Sequence, residues 1–214
     1  MLLIDADVEL RNNDFIYNYL KYINNHYDLF FGGFAYKNIK PHEYFLLRWK
    51  YGKQCEAISA SKRNKRPYKV TIAANLLVKK STYKSFNLNY IGKQYAMDYY
   101  FGAILKETKS KVLHIDNQVY HLGIEKSSKY LEKKEKAAET LLNLYRKGDI
   151  KVHENDLLAL YINLKKIGLN YIFGNTFKIF KSILKFNLLG KHPKVKLLQF
   201  YKIFYICYYD LKTS

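Results

Sequence analysis

The sequence predicts an α/β fold, a small sheet with flanking helices, followed by an all-helical C-terminal region. Over residues 1–125, short apolar runs with polar or glycine-rich exits alternate with amphipathic stretches. From residue 126 onward only helical periodicity remains. A chain of 214 residues with 49% hydrophobic content can bury one large core or one core with an appendage, and such a composition is not that of a disordered chain.

Leu2 to Asp7 reads as a buried strand ending in two aspartates. Asn13 or Asp14 then caps a helix with Phe15, Ile16, Tyr19, Leu20 and Ile23 inward. Residues 27–36 form a second strand, broken at Gly32-Gly33, and Pro41 opens a helix through HEYFLLRWKYG. EAISASKRNKRPY has no apolar period and reads as a mobile basic loop. VTIAANLLVKK is strand-like, STYKSF and AMDYYFGAILKE are helical, and KVLHIDNQVYHLG is a short strand with its exit. Beyond it, SSKYLEKKEKAAETLLNLYRKG and NDLLALYINLKKIG are helices with Gly148 and Gly168 as stops. TFKIFKSILKF places Phe177, Phe180 and Leu184 on one stripe and Lys178, Lys181 and Lys185 off it. The last segment, KVKLLQFYKIFYICYYDLK, is aromatic and basic.

Composition narrows the function classes. The net charge of +19 suits a polyanionic partner: nucleic acid, anionic lipid or a phosphorylated substrate. No recognition-helix, zinc-finger or RNA-binding signature accompanies it, which argues against nucleic acid. No apolar run is long enough to span a bilayer, and the start is not that of a secretory signal. The two cysteines, Cys55 and Cys207, lie far apart, which suits a reducing cytoplasm.

Several residues could carry chemistry. Asp5 and Asp7, two apart at a strand exit, would face the same crevice, where hard divalent cations take oxygen ligands. From those residues alone a solvated strand end is the better reading. Asp98 is either a reactive carboxylate or an acid favoured at a helix N-terminus, and His121 either a ligand or a packed histidine.

Taken together, LLIDADVEL, AANLLVKKSTY, YAMDYYFGAILKE and KVLHIDNQVYHLG resemble the second half of a family 2 glycosyltransferase. The resemblance covers roughly residues 2–140. It implies a partial GT-A (Rossmann-like) sheet over residues 1–125 and a basic amphipathic helical region over 126–214. It implies an enzyme that transfers a sugar from a nucleotide-sugar donor to a glycan or lipid-linked acceptor with inversion. In that reading Asp5 and Asp7, joined by His121, hold Mn²⁺ or Mg²⁺ against the donor diphosphate. Asp98 is the catalytic base, Asn75 lines the donor sugar and acceptor pocket, and Arg48, Trp49 and Met97 lie on the acceptor side.

Two departures accompany the resemblance. Position 97 is Met where the family usually carries the Glu of a Glu-Asp pair. The strand-loop-helix unit that binds the nucleotide in complete relatives does not precede Met1. The resemblance therefore implies a truncated fragment, with an open edge on its first strand, that transfers no sugar by itself. A catalytically inactive glycosyltransferase-like binding protein is the alternative. The basic C-terminal helices suit either packing on the first region or peripheral attachment to an anionic surface on the inner face of a membrane.

Overall fold

The computed structural model describes residues 1–86 and 95–213. It is an α/β structure with two small mixed sheets and a helical C-terminal region. The first sheet has the order β1 (Leu2–Ile4), β5 (Asn75–Val78), β3 (Leu29–Phe31), β6 (Val112–His114). The second has the order β2 (Val8–Leu10), β7 (Val119–His121), β4 (Phe34–Ala35). In the first sheet β5 runs antiparallel to both β1 and β3, while β3 and β6 are parallel, so β1, β3 and β6 share one direction. Each of these three strands then leaves the first sheet and enters the second, as β2, β4 and β7. The three crossings are Asp5-Ala6-Asp7, Gly32-Gly33 and residues 115–118.

This arrangement corrects the reading of Leu2 to Asp7 as one buried strand. β1 stops at Ile4, Asp5 and Asp7 lie in the crossing, and Asp7 is tied to the second sheet by its carbonyl, which accepts from Leu122 N at 2.9 Å. Among the described residues β1 borders the first sheet, paired only with β5, and Ile4 is exposed. KVLHIDNQVYHLG likewise forms two strands in two sheets rather than one strand and its exit.

The expected mobile loop is also ordered. It contains a helical turn, α3 (Ala60–Arg63), and Arg63 is buried beneath the crossings. Its guanidinium donates to the carbonyls of Phe31 (3.4 Å), Gly32 (3.4 Å) and Ile115 (2.8 Å). The Phe31 and Gly32 carbonyls also accept from Ile115 N (3.0 Å) and Asn117 N (3.1 Å), so Arg63 adds a second donor to each and satisfies the buried Ile115 carbonyl. His114 faces the same arginine and is pushed down to about 4 by burial, with its Nε2 2.9 Å from the Pro67 carbonyl. It is a packed core histidine. In helix α1 (Phe15–Leu20) only Phe15 and Tyr19 are buried; Ile16, Leu20 and Ile23 of the expected inner face are exposed.

Helix α2 (Leu46–Tyr51) passes into a π-turn over Gly52–Glu56. Helix α4 (Lys80–Ser85) follows β5, and α5 (Asp98–Glu107) leads into β6. Helices α6 (Ser127–Arg146), α7 (Asp156–Lys166), α8 (Leu169–Leu189) and α9 (Val195–Thr213) make up the rest. Their core takes in Leu47 from α2 and Met97 and Ala103 at α5, so the helical region continues the first one. Glu135 and Glu139 of α6, one turn apart, accept from the hydroxyls of Tyr201 and Tyr205 of α9, also one turn apart. A buried Asp210 on α9 gathers Arg146 of α6 (2.5 Å), Lys165 of α7 (3.0 Å) and Asn170 of α8 (3.1 Å). One carboxylate thus joins four helices.

The inner stripe of α8 is Asn170, Gly174, Phe177, Leu184 and Leu188. Phe180, expected on it, is exposed instead. The helix starts at Leu169, earlier than the apolar pattern suggested, and packs antiparallel to α9, with Phe173 against Phe204 and Phe177 against Tyr201 and Tyr205.

Candidate active site

A cavity of about 400 Å³ opens beside the crossings, within the range of small-molecule sites. Asp5, Asp7, Asp98, His121 and Arg48 all line it. They come from the first crossing, the start of α5, the end of β7 and α2. This is the carboxyl end of the parallel strands β1, β3 and β6, where open α/β sheets place their ligands.

Asp7 and His121 are the best-defined pair. Val8 pairs with His121 across β2 and β7, which brings Asp7 Oδ2 to 3.9 Å from His121 Nε2. The backbone at Gly123 lies so close that a Cβ there would sit 2.3 Å from Asp7 Oδ2, so only glycine leaves the carboxylate in place. The imidazole is held between Tyr36, stacked at 18°, and the edge of Phe34. Burial first, then the nearby Arg48, lowers the His121 pKa, while Asp7, Glu56 and Asp5 oppose this. Its Nδ1 is buried and meets no hydrogen-bond partner among the described residues. Asp5 is raised by burial and by the neighbouring Asp7.

Asp7 and His121 are the pair that could hold a divalent cation between them. Neighbouring ligands of one octahedral ion, each about 2.1 Å away, stand about 3 Å apart, so the 3.9 Å between Asp7 and His121 would have to shorten for both to bind one ion. No group of three or more metal-binding side chains occurs among the described residues.

Asp98 opens the first turn of α5, anchored by Thr71 Oγ1 donating to its backbone carbonyl at 2.9 Å. Asp98 is solvent-exposed in the cavity, and the protein atoms packed around its carboxyl push it up to about 6. Lys134 pulls it down; Asp5 and Glu56 push it further up. A carboxylate with that value is ionised at neutral pH and basic enough to accept a proton.

The cationic side of the cavity escapes sequence reasoning almost entirely. Arg48 is buried, pairs with Glu56 at 2.9 Å, and lies over the rings of Tyr36 (5.3 Å) and Tyr130 (5.0 Å). Glu56 hangs from the π-turn and accepts from the Tyr36 hydroxyl. Burial alone would raise Glu56; Arg48, Lys134 and Tyr36 together hold it below the usual glutamate range. The Tyr36 ring needs Gly52, since a Cβ there would lie 2.2 Å from it. From α6, Lys134 lies over Tyr51 (4.9 Å) and Tyr130 (4.7 Å), and Lys133 pairs with Glu125 at 2.8 Å. In sequence Glu56 belongs to an unpatterned loop and Lys133-Lys134 to a charge run that reads as solvated. Only the docking of α6 against α2 turns them inward.

Three expected residues lie elsewhere. Asn75 is fully buried under the crossings, with Nδ2 donating to the Gly33 (3.0 Å) and Asn117 (2.9 Å) carbonyls and Oδ1 accepting from Tyr19 at 2.5 Å. All its polar capacity toward a sugar is spent on holding the crossings together, so the expectation that it lines the pocket is corrected. Trp49 donates to the Lys37 carbonyl at 3.0 Å, carries Lys53 over its ring and is not in the cavity wall. Met97 is buried in the helical core and lines a separate apolar cavity of about 140 Å³ with Leu3, Leu76, Tyr83 and Phe101; Asp98 borders both cavities.

Comparison with protein-family models, with curated proteins and with solved structures returns no match for the chain.

Proposed function

We propose that the cavity binds a nucleoside diphosphate sugar and that the chain serves sugar transfer by inverting displacement, as a family 2-like glycosyltransferase. The observation that carries the reading is the convergence of Asp5, Asp7, Asp98 and His121 on one cavity that Arg48 and Lys134 also line. These residues are far apart in sequence, and they combine a base, an oxygen and nitrogen ligand pair, and cations.

The division of labour follows from position. Asp7 and His121, with Asp5 beside them, would hold Mn²⁺ or Mg²⁺, which supplies charge neutralisation for a departing diphosphate. Arg48, Lys133 and Lys134 face the same space and favour an anionic ligand there. Asp98 takes the proton of the incoming hydroxyl on a carboxylate oxygen as that hydroxyl oxygen forms its bond to the anomeric carbon and the bond to the diphosphate breaks. The apolar cavity beside Asp98, with Met97 in its wall, suits a glycan or lipid-linked acceptor with an apolar part.

Isothermal titration with nucleoside diphosphate sugars, with and without Mn²⁺, tests this. The expected result is metal-dependent binding that Asp7→Asn removes and Asp98→Asn leaves in place, since Asp98 acts on the acceptor side. Absence of metal-dependent binding by the natural chain overturns the reading.

A further inference from the structure

Helix α8 has two apolar faces, and only one of them is covered. The inner stripe packs against α9 and the rest of the helical core. At about 100° per residue, Ile172, Ile179, Ile183 and Phe186 fall on the opposite side of the same helix. They are exposed by 60%, 72%, 64% and 85%. Phe180 adds to this surface, and Phe200 of α9, 54% exposed, continues it through its contact with Phe204. A surface helix normally turns polar residues outward, and a contiguous exposed apolar patch marks an interaction surface.

The charges around the patch select its partner. From Leu157 to Tyr209 the chain carries nine lysines and no acidic residue; Lys165, Lys185 and Lys191 pair with Asp210, Glu135 and Glu43 from other elements and Lys202 lies over Tyr51, while Lys178, Lys194 and Lys196 are exposed. Lys178, Lys181 and Lys185 run along one border between the two stripes of α8. Lys194 and Lys196 lie exposed where α8 turns into α9. A second copy of the chain would bring two lysine-rich faces together, each on a molecule of net charge +19. An anionic bilayer supplies both an apolar layer for the isoleucines and phenylalanines and counter-charge for the lysines. No described helix is long and apolar enough to cross a membrane, so the contact is one of lying on the surface.

We propose that the outer face of α8 docks the protein on an anionic lipid surface, with Ile179, Ile183 and Phe186 inserted among the headgroups and acyl chain ends. The claim is independent of the glycosyltransferase reading, because none of these residues lines the candidate active site.

Flotation of the full chain with phosphatidylcholine vesicles, with and without about 30% phosphatidylglycerol, tests the proposal. The chain is expected to float with the anionic vesicles and to remain largely unbound with the neutral ones. Ile179→Ser/Ile183→Ser/Phe186→Ser is expected to lower partitioning by at least tenfold. These side chains are already exposed, so circular dichroism and melting temperature stay at natural values and separate lost docking from lost folding. Lys178→Gln lowers partitioning up to about fivefold on anionic vesicles alone, the factor expected for one lysine near such a surface. Equal flotation with both vesicle types, or unchanged flotation of the triple variant, overturns the proposal. So does a dimer of the natural chain that the triple variant converts to monomer while the natural chain binds no vesicles, which would assign the face to a second copy.

Discussion

Asp98, exposed to the cavity, and Asp210, buried among the helices, are acted on by their surroundings in opposite directions. The protein packed around each carboxyl would raise both. At Asp210 the hydroxyl of Tyr161 and the cations Lys165 and Arg146 overcome burial and hold the carboxylate below its usual range. At Asp98 Lys134 opposes that packing, while Asp5 and Glu56 reinforce it, so the group is pushed up to about 6. The difference teaches what each region does with charge. The helical region closes its charges on one another and is bound together by them. The cavity gathers more acids than its cations can satisfy at short range, and that imbalance is what a cation-bearing ligand would relieve.

The comparison breaks first at Asp210. Asp210→Ala strips the counter-charge from Arg146 and Lys165 at a junction of four helices, and urea unfolding is expected to show a loss of about 3–5 kcal/mol. A loss within the scatter of surface substitutions would mean that the junction does not hold the helices. Asp7→Asn should weaken Mn²⁺-dependent binding of a nucleoside diphosphate sugar by at least the roughly 10- to 100-fold that loss of a mere supporting partner costs a metal site; titration calorimetry reads it directly. Gly52→Ala would drive a methyl into the Tyr36 ring, and about 1–3 kcal/mol of stability should disappear with it.

The pH dependence of Asp98→Asn sharpens the contrast. Asp98 has a folded-state pKa near 6 against the ordinary value of 3.8. Between those values the unfolded chain has released the proton that the folded chain still holds, so stability falls as pH rises through that window. The Asn variant lacks this decline and is expected to gain on the natural chain between about pH 4 and pH 7 in paired melting curves. A carboxyl resonance of Asp98 titrating in the ordinary aspartate range would remove the asymmetry with Asp210. The smallest effect belongs to Trp49→Phe, which loses one hydrogen bond to a carbonyl outside the cavity; stability should change by less than about 1.5 kcal/mol and ligand affinity not at all.

The α/β character of the first region and the helices after residue 126 were legible because apolar periodicity is a local signal. Asp5, Asp7, Asp98 and His121 were legible as a set through motif order and share one cavity; Arg48 lines it too, but the sequence grouped it with Trp49 and Met97, which do not. The division of Leu2–Asp7 between two sheets was not, because nothing local marks a strand that changes partners. Arg63 was hidden for a related reason. A basic loop reads as solvated until the carbonyls its arginine bonds are known, and those lie at Phe31, Gly32 and Ile115, distant in sequence. Asn75 misled in the opposite way, since a strand-end amide looks available until Tyr19, Gly33 and Asn117 claim it.

The passage of three strands from one sheet to the other carries a mechanical consequence. Asp5 rides on the end of the first sheet, whereas Asp7 and His121 ride together on the second. Any slip of one sheet against the other therefore leaves the Asp7–His121 spacing intact and alters the distance to Asp5. Arg63 and Asn75, bonded to the crossing segments from below, are the rivets that resist such slip. Loosening either one would change the spacing of Asp5 from Asp7 and His121 without touching a single residue that lines the cavity.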